Sequence, residues 1–154
     1  MINAEYRELC REISLAFNAQ DSEALYELRR IAISDDVEAL VYFNEELDAN
    51  IVFCYVDLGE VPEEKRADVY QNLLELNIIT GSKTNAVFAL DPASGRAVLV
   101  AHFAAARKPD AAAIVKKLRI YALQAQSMRG TLLAGSIESV MAAGRPAQPT
   151  VDRA

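Results

Sequence analysis

Residues 68–103 constrain the fold more than any other stretch, because an apolar-striped helix runs there straight into a tight hairpin. Val69, Leu73 and Leu76 recur at helical spacing, with Tyr70, Leu74 and Asn77 one position round. The spacing predicts a helix with one broad apolar stripe, which Gly81 is expected to stop. After a short polar loop, residues 86–90 and 97–103 read as strands. They are joined by Asp91-Pro92-Ala93-Ser94-Gly95, in which Pro presets its own φ and Gly accepts a positive one.

The remaining elements follow from the same periodicities. Ile2, Tyr6, Leu9, Ile13 and Phe17 share one face of a first helix, which the turn-prone run Asn18-Ala19-Gln20-Asp21-Ser22 ends. Residues 25–33, 37–43 and 51–58 are strand candidates, and the short polar links between them favour an antiparallel meander. Val37, Ala39, Val41 and Phe43 alternate against Glu38, Leu40 and Tyr42. Residues 51–56 are almost wholly apolar, which predicts a central strand covered on both faces. Pro62, Glu63 and Glu64 open the central helix, with the carboxylates at the positive end of its dipole. Lys108-Pro109-Asp110 opens a last helix with Asp110 as cap; Ile114, Leu118, Tyr121, Ala125, Met128 and Leu132 form its stripe, and Gly135 lies near its end. The expected fold class is α+β: a twisted antiparallel sheet with three helices in the order α-β-β-β-α-β-β-α.

A chain of 154 residues with 52% hydrophobic composition supports one core. Residues 1–143 are read as a single domain and 144–154, interrupted by Pro146 and Pro149, as a disordered tail. The net charge of −6 argues against a nucleic-acid or anionic-membrane binder, which needs a basic face. No window is apolar and long enough to span a bilayer, and the first residues carry charges every few positions instead of an apolar signal core, so a cytoplasmic location is expected. Cys10 and Cys54 lack metal-like spacing and are read as reduced thiols in or near the core.

Catalytic chemistry is poorly provided for. His102 is the only histidine, so any Ser-His or Cys-His nucleophile has to use it. Its strand position between Ala101 and Phe103 is ordinary. Gly81-Ser82-Lys83-Thr84 resembles the end of a phosphate-binding loop, but Ser82 stands where Gly must precede the lysine, Asn77 stands at the first Gly position, and the order is helix to strand. The acidic residues show no calcium-loop spacing. The reading is therefore a protein that is not an enzyme and uses no cofactor or metal.

Asn72-Leu73-Leu74-Glu75-Leu76-Asn77 closing a helix, then Phe88-Ala89-Leu90-Asp91-Pro92 and Gly95-Arg96-Ala97-Val98-Leu99, resembles the middle of the class I type III secretion chaperones, the CesT or Tir-chaperone family. The order of elements agrees with that family over residues 1–135. The resemblance implies a bacterial cytoplasmic homodimer that binds the N-terminal chaperone-binding segment of a secretion effector as an extended peptide. Binding keeps the segment soluble and competent for the secretion ATPase, a candidate further partner. It implies dimer contacts from the central helix (Val69, Tyr70, Leu73, Leu76 and Asn77). Effector contacts are implied from the first helix and the strands, with Tyr6, Leu9, Ile13, Phe88, Leu90, Val98 and Val100 as the candidates. Each of these is also a core candidate. Phe88 and Leu90 share one strand face and Val87 and Ala89 the other, so only one set can face the core. The alternatives are a cytosolic sensor or scaffold of the same general fold, a heterodimeric secretion co-chaperone, and a small enzyme using Cys10 or Cys54 with His102.

Removing the residues from Gly144 onward is expected to leave the melting temperature nearly unchanged, since Val151 alone there offers much apolar area. A large drop in a thermal melt would place the domain boundary further along the chain.

Overall fold

In a computed structural model, residues 1–48, 50–80, 85–104 and 110–133 are described. Gly81, the stretch Gly81-Ser82-Lys83-Thr84, Lys108, Pro109, Gly135 and the tail from Gly144 lie outside them.

Helix α1 (Asn3–Ala16) begins where Glu5 Oε2 accepts the Ile2 amide. It turns Tyr6, Leu9, Cys10 and Ile13 inward. The chain continues through α2 (Ala24–Leu28), β1 (Arg30–Ala32), β2 (Glu38–Phe43), the single turn α3 (Glu45–Asp48) and β3 (Ile51–Gly59). A 3-10 turn, Glu63–Lys65, leads into α4 (Arg66–Thr80). Strands β4 (Ala86–Leu90) and β5 (Ala97–Ala104) form the hairpin, and α5 (Ala111–Thr131) follows with the Asp110 side chain accepting the Ala112 amide as expected of a cap.

All pairings are antiparallel, and the five strands lie in the order β1-β2-β3-β5-β4. The α+β class and the central place of β3 agree with the sequence reading. Two expectations need correction. Residues 25–33 do not form one strand. Asp21 accepts the Glu23 amide, starting a short helix instead, and Arg29, at φ 58°, closes it by donating its amide to Leu25 O. Only three residues of β1 remain. The alternation of apolar residues around Leu25 fits a helical turn as well as a strand over so short a run.

The second correction concerns β3, which is not covered on both faces. Val52, Cys54, Val56 and Leu58 are fully buried, whereas Ile51, Phe53, Tyr55 and Asp57 are half-buried. Helices α1 and α5 pack on one face only, the face shared by Ala39, Val41, Phe43, Ala97, Leu99 and Ala101. The Tyr6 hydroxyl donates to Val41 O at 2.9 Å, fixing α1 over β2.

The end of β3 is locked by charge. A register shift between Asp57 and Gly59 bends the strand, and Arg96 grips the Asp57 carboxylate with two bonds, at 2.9 and 2.7 Å. From α5, Arg129 donates to Leu58 O at 3.0 Å and to both the carbonyl and the carboxylate of Asp36. Gly59 sits at φ 125°, and a Cβ there would lie 2.7 Å from Leu133 Cδ1. Gly59→Ala is therefore expected to destabilise the domain by about 2 kcal/mol through backbone strain and displacement of Leu133. An unchanged urea midpoint would show that the bend relaxes freely.

Candidate functional site

The uncovered face of the sheet carries an apolar surface. Cross-strand register places Leu40 beside Tyr55, Tyr42 beside Phe53, Tyr55 beside Val100, Phe53 beside His102, Val87 beside Val100 and Ala89 beside Val98, all on that face. Part of it forms a cleft of about 570 Å³, floored by Leu40, Tyr42, Tyr55, Val98 and Val100. Its rim includes Arg30, Glu38 and the Asp57–Arg96 ion pair. The guanidinium of Arg29 lies 5.1 Å from the centre of the Tyr42 ring, which holds that ring at the β1 side of the sheet.

The two sheet edges differ. At the β4 edge, Asn77 of α4 donates through Nδ2 to Phe88 O and accepts the Phe88 amide on Oδ1, at 2.9 and 2.7 Å. A side chain thus occupies the main-chain groups a further strand would use. At the β1 edge, Arg29 O accepts the Val41 amide of β2, and the Ile33 amide donates to Val37 O just ahead of that strand. Antiparallel alternation then turns the main-chain groups of Arg30 and Ala32 away from the sheet, and Arg30 also borders the cleft.

The sequence-derived candidates separate into distinct places. Tyr6, Leu9 and Ile13 are buried in the core and offer no surface to a peptide in this protomer. Phe88 faces the core as well, while Leu90 packs against the core from the strand end and borders the cleft. Val98 and Val100 lie in the cleft. On α4, Val69, Leu73 and Leu76 are buried within the protomer, Tyr70 is half-buried, and Asn77 is committed to β4. The large apolar groups that α4 leaves exposed are Leu74, Ile78 and Ile79, with Ile78 at 83%. Periodicity alone did not single out Ile78, because a helix with apolar residues nearly all round has no unique inward face. Leu40, Tyr42 and Tyr55 were likewise missed as a set. Their alternation was legible, but which face the helices cover was not.

No Cys-His pair is assembled. His102 is exposed on the open face and meets the Phe53 ring edge-on at 5.0 Å, whereas Cys54 points to the opposite, helix-covered face. Burial pushes the Cys10 thiol up to about 11 and raises that of Cys54 as well, so both are held as neutral thiols at physiological pH. Among the described residues no cluster of His, Cys, Asp or Glu could hold a metal, and no helix is long and apolar enough to cross a membrane.

The described residues thus form a helix-backed antiparallel sheet whose other face is apolar. Residues 7–118 match the model of the Tir chaperone protein (CesT) family, and the chain belongs to that family. Its fold is similar to that of a chain in the solved structure of the ExsC–ExsE complex, with a TM-score of 0.64 at 15% identity, covering 85% of this chain and 96% of that one. No curated protein matches the sequence.

Asn77→Ala is expected to lower stability by about 1–3 kcal/mol, since it leaves the Phe88 amide and carbonyl without their partner at a half-buried site. Hydrogen exchange should show the Phe88 amide losing protection ahead of β3. Protection equal to wild type would mean that the bond contributes nothing to holding β4.

Proposed function

We propose that the protein is a bacterial cytoplasmic type III secretion chaperone that binds the N-terminal chaperone-binding segment of a cognate effector as an extended peptide. The observation that carries this reading is the cleft over Leu40, Tyr42, Tyr55, Val98 and Val100, which runs to the β1 edge. A segment lying there gains main-chain hydrogen bonds at the edge, which tolerate many sequences, while its apolar side chains enter the cleft, which selects among them. Membership of the CesT family and the likeness to a chain of the ExsC–ExsE complex support the reading. Of the effector contacts first inferred, Leu90, Val98 and Val100 remain in the proposal. The core positions of Tyr6, Leu9, Ile13 and Phe88 give them the supporting role of holding the sheet and α1 in place.

The working unit in this proposal is a homodimer. Leu74 and Ile78, exposed one turn apart on α4, are an apolar stripe that a monomer leaves in water, and a two-fold contact through α4 covers it on both copies at once. Val69, Leu73, Leu76, Tyr70 and Asn77 then act beneath the interface by seating α4 on the protomer. Delivery to the secretion ATPase follows from the same role, with no nucleotide used by the chaperone.

Light scattering on the wild type should give a dimer at tens of micromolar, and Ile78→Asp a folded monomer with native circular dichroism. Val98→Glu should keep the dimer and weaken capture of the effector N-terminal segment by more than about tenfold, the usual cost of losing a buried apolar anchor. His102→Ala should leave capture intact. A wild type that is monomeric throughout, or a folded Val98→Glu that captures the segment normally, would refute the corresponding half of the proposal.

A further inference from the structure

A second surface lies on the opposite side of the molecule from the open sheet face. Helices α1 and α5 pack together over the core, and between them runs a cleft of about 640 Å³ lined by Ala16, Ala111, Ala112, Val115 and Ile120. The two helices leave three large apolar side chains in water, Ile120 at the cleft with 41% exposure, and Leu15 and Leu123 elsewhere on α1 and α5 with 60% and 69%. Ile120 and Leu123 are three residues apart on α5, so their exposed stripe runs along the helix axis.

The charge of this surface runs against that of the chain. Over its whole length α5 carries not one Asp or Glu, and its first half carries Lys116, Lys117 and Arg119, in a protein of net charge −6; Arg129, further along, is paired with Asp36 and Asp57. Lys116 and Arg119 form the α5 lip of the cleft. Arg119 donates to Ala16 O at 3.0 Å and lies 5.6 Å from the Phe17 ring centre, contacts that hold the guanidinium at the lip without neutralising it. Glu12 stands on the α1 lip. A partner's carboxylates therefore belong on the α5 side.

We propose that the α1–α5 cleft is a docking site for an acidic amphipathic helix of a partner protein, separate from the sheet-face cleft and independent of what binds there. A groove between two packed helices has the shape that accepts a third, whose apolar ridge lies along the α5 stripe formed by Ile120 and Leu123. The basic α5 lip, Lys116 and Arg119 above a floor of small and apolar side chains, selects a helix with leucine-like residues on one face and Glu or Asp along the edge that meets α5. The concave cross-section between two helices suits a helix better than a membrane surface, which calls for a protruding apolar face.

The test uses the full-length protein and two synthetic helical peptides, one with leucines on one face flanked by glutamates, the other with those glutamates replaced by lysines. Fluorescence anisotropy should show the acidic peptide binding at least about tenfold more tightly than the basic one, with affinity falling as salt rises. Lys116→Glu and Ile120→Ser, both at exposed positions, should each weaken it severalfold or more with circular dichroism unchanged, while Val98→Glu on the other face should bind as wild type. Equal affinity for the two peptides, or wild-type affinity in both cleft variants, overturns the proposal. So does a change in the solution mass of the unliganded protein on Ile120→Ser, which would assign the cleft to a second copy, or binding to anionic lipid vesicles with no binding of the acidic peptide.

Discussion

The packing of α1 and α5 against a single face of β3 is the contact on which the rest of the structure depends. Val52, Cys54, Val56 and Leu58 are sealed from solvent by it, and strands on either side inherit the same polarity through their cross-strand partners. Burying four such side chains is worth on the order of several kcal/mol, comparable with the whole stability of a small domain. Among the described residues no long helix lies over the other face. The apolar residues Leu40, Tyr42, Phe53, Val98 and Val100 are left to shield one another, and an apolar open surface is the remainder of a one-sided core.

The ends of the sheet are held by polar chemistry. Asp57 lies on the open face at the bend of β3, where Arg96, just ahead of β5, and Arg129 from α5 converge on it, the latter at 3.6 Å. The bidentate Arg96 pair is the better defined of the two contacts, and because both partners are partly exposed, its net contribution to stability is small. Its value is geometric. It pins the hairpin to the central strand beside the cleft, so the cleft's shape is set by a rigid corner. Gln126 and Arg129 extend the same corner to Asp36, whose carboxyl is held below its usual range mainly by the Gln126 hydrogen bond.

Much of this was legible in the sequence, and the failures share a cause. The long helices, the hairpin with its Asp91–Gly95 turn, and the central strand follow from periodicity and turn chemistry that act over a few residues. The split of residues 25–33 into helix and strand turns on a local contest that the left-handed Arg29 closes after one helical turn, and no apolar spacing announces it. The site was harder to read, because whether an apolar residue is core or contact depends on which faces the other elements occupy. Val69, Leu73 and Leu76 look the same on paper as Leu74 and Ile78, and one set is buried while the other stands in water. Asn77, which the family resemblance places at the dimer contact, also holds the β4 edge, a role that no spacing rule announces.

That Asn77 contact bears directly on how a single domain can bind an extended chain without polymerising through its own sheet. An open antiparallel sheet has two edges, and a strand exposed at each is a template for its neighbour. Here the β4 edge is occupied at Phe88 by a side-chain amide that satisfies both the donor and the acceptor, the same bonds a sixth strand would make. The β1 edge is only three residues long, too short to hold another copy by main-chain bonds alone. Under the proposed function, a ligand gains there only if its side chains also reach the cleft beside Arg30. In that proposal edge pairing and cleft filling are each insufficient alone, and requiring both favours a matching extended segment over a second sheet.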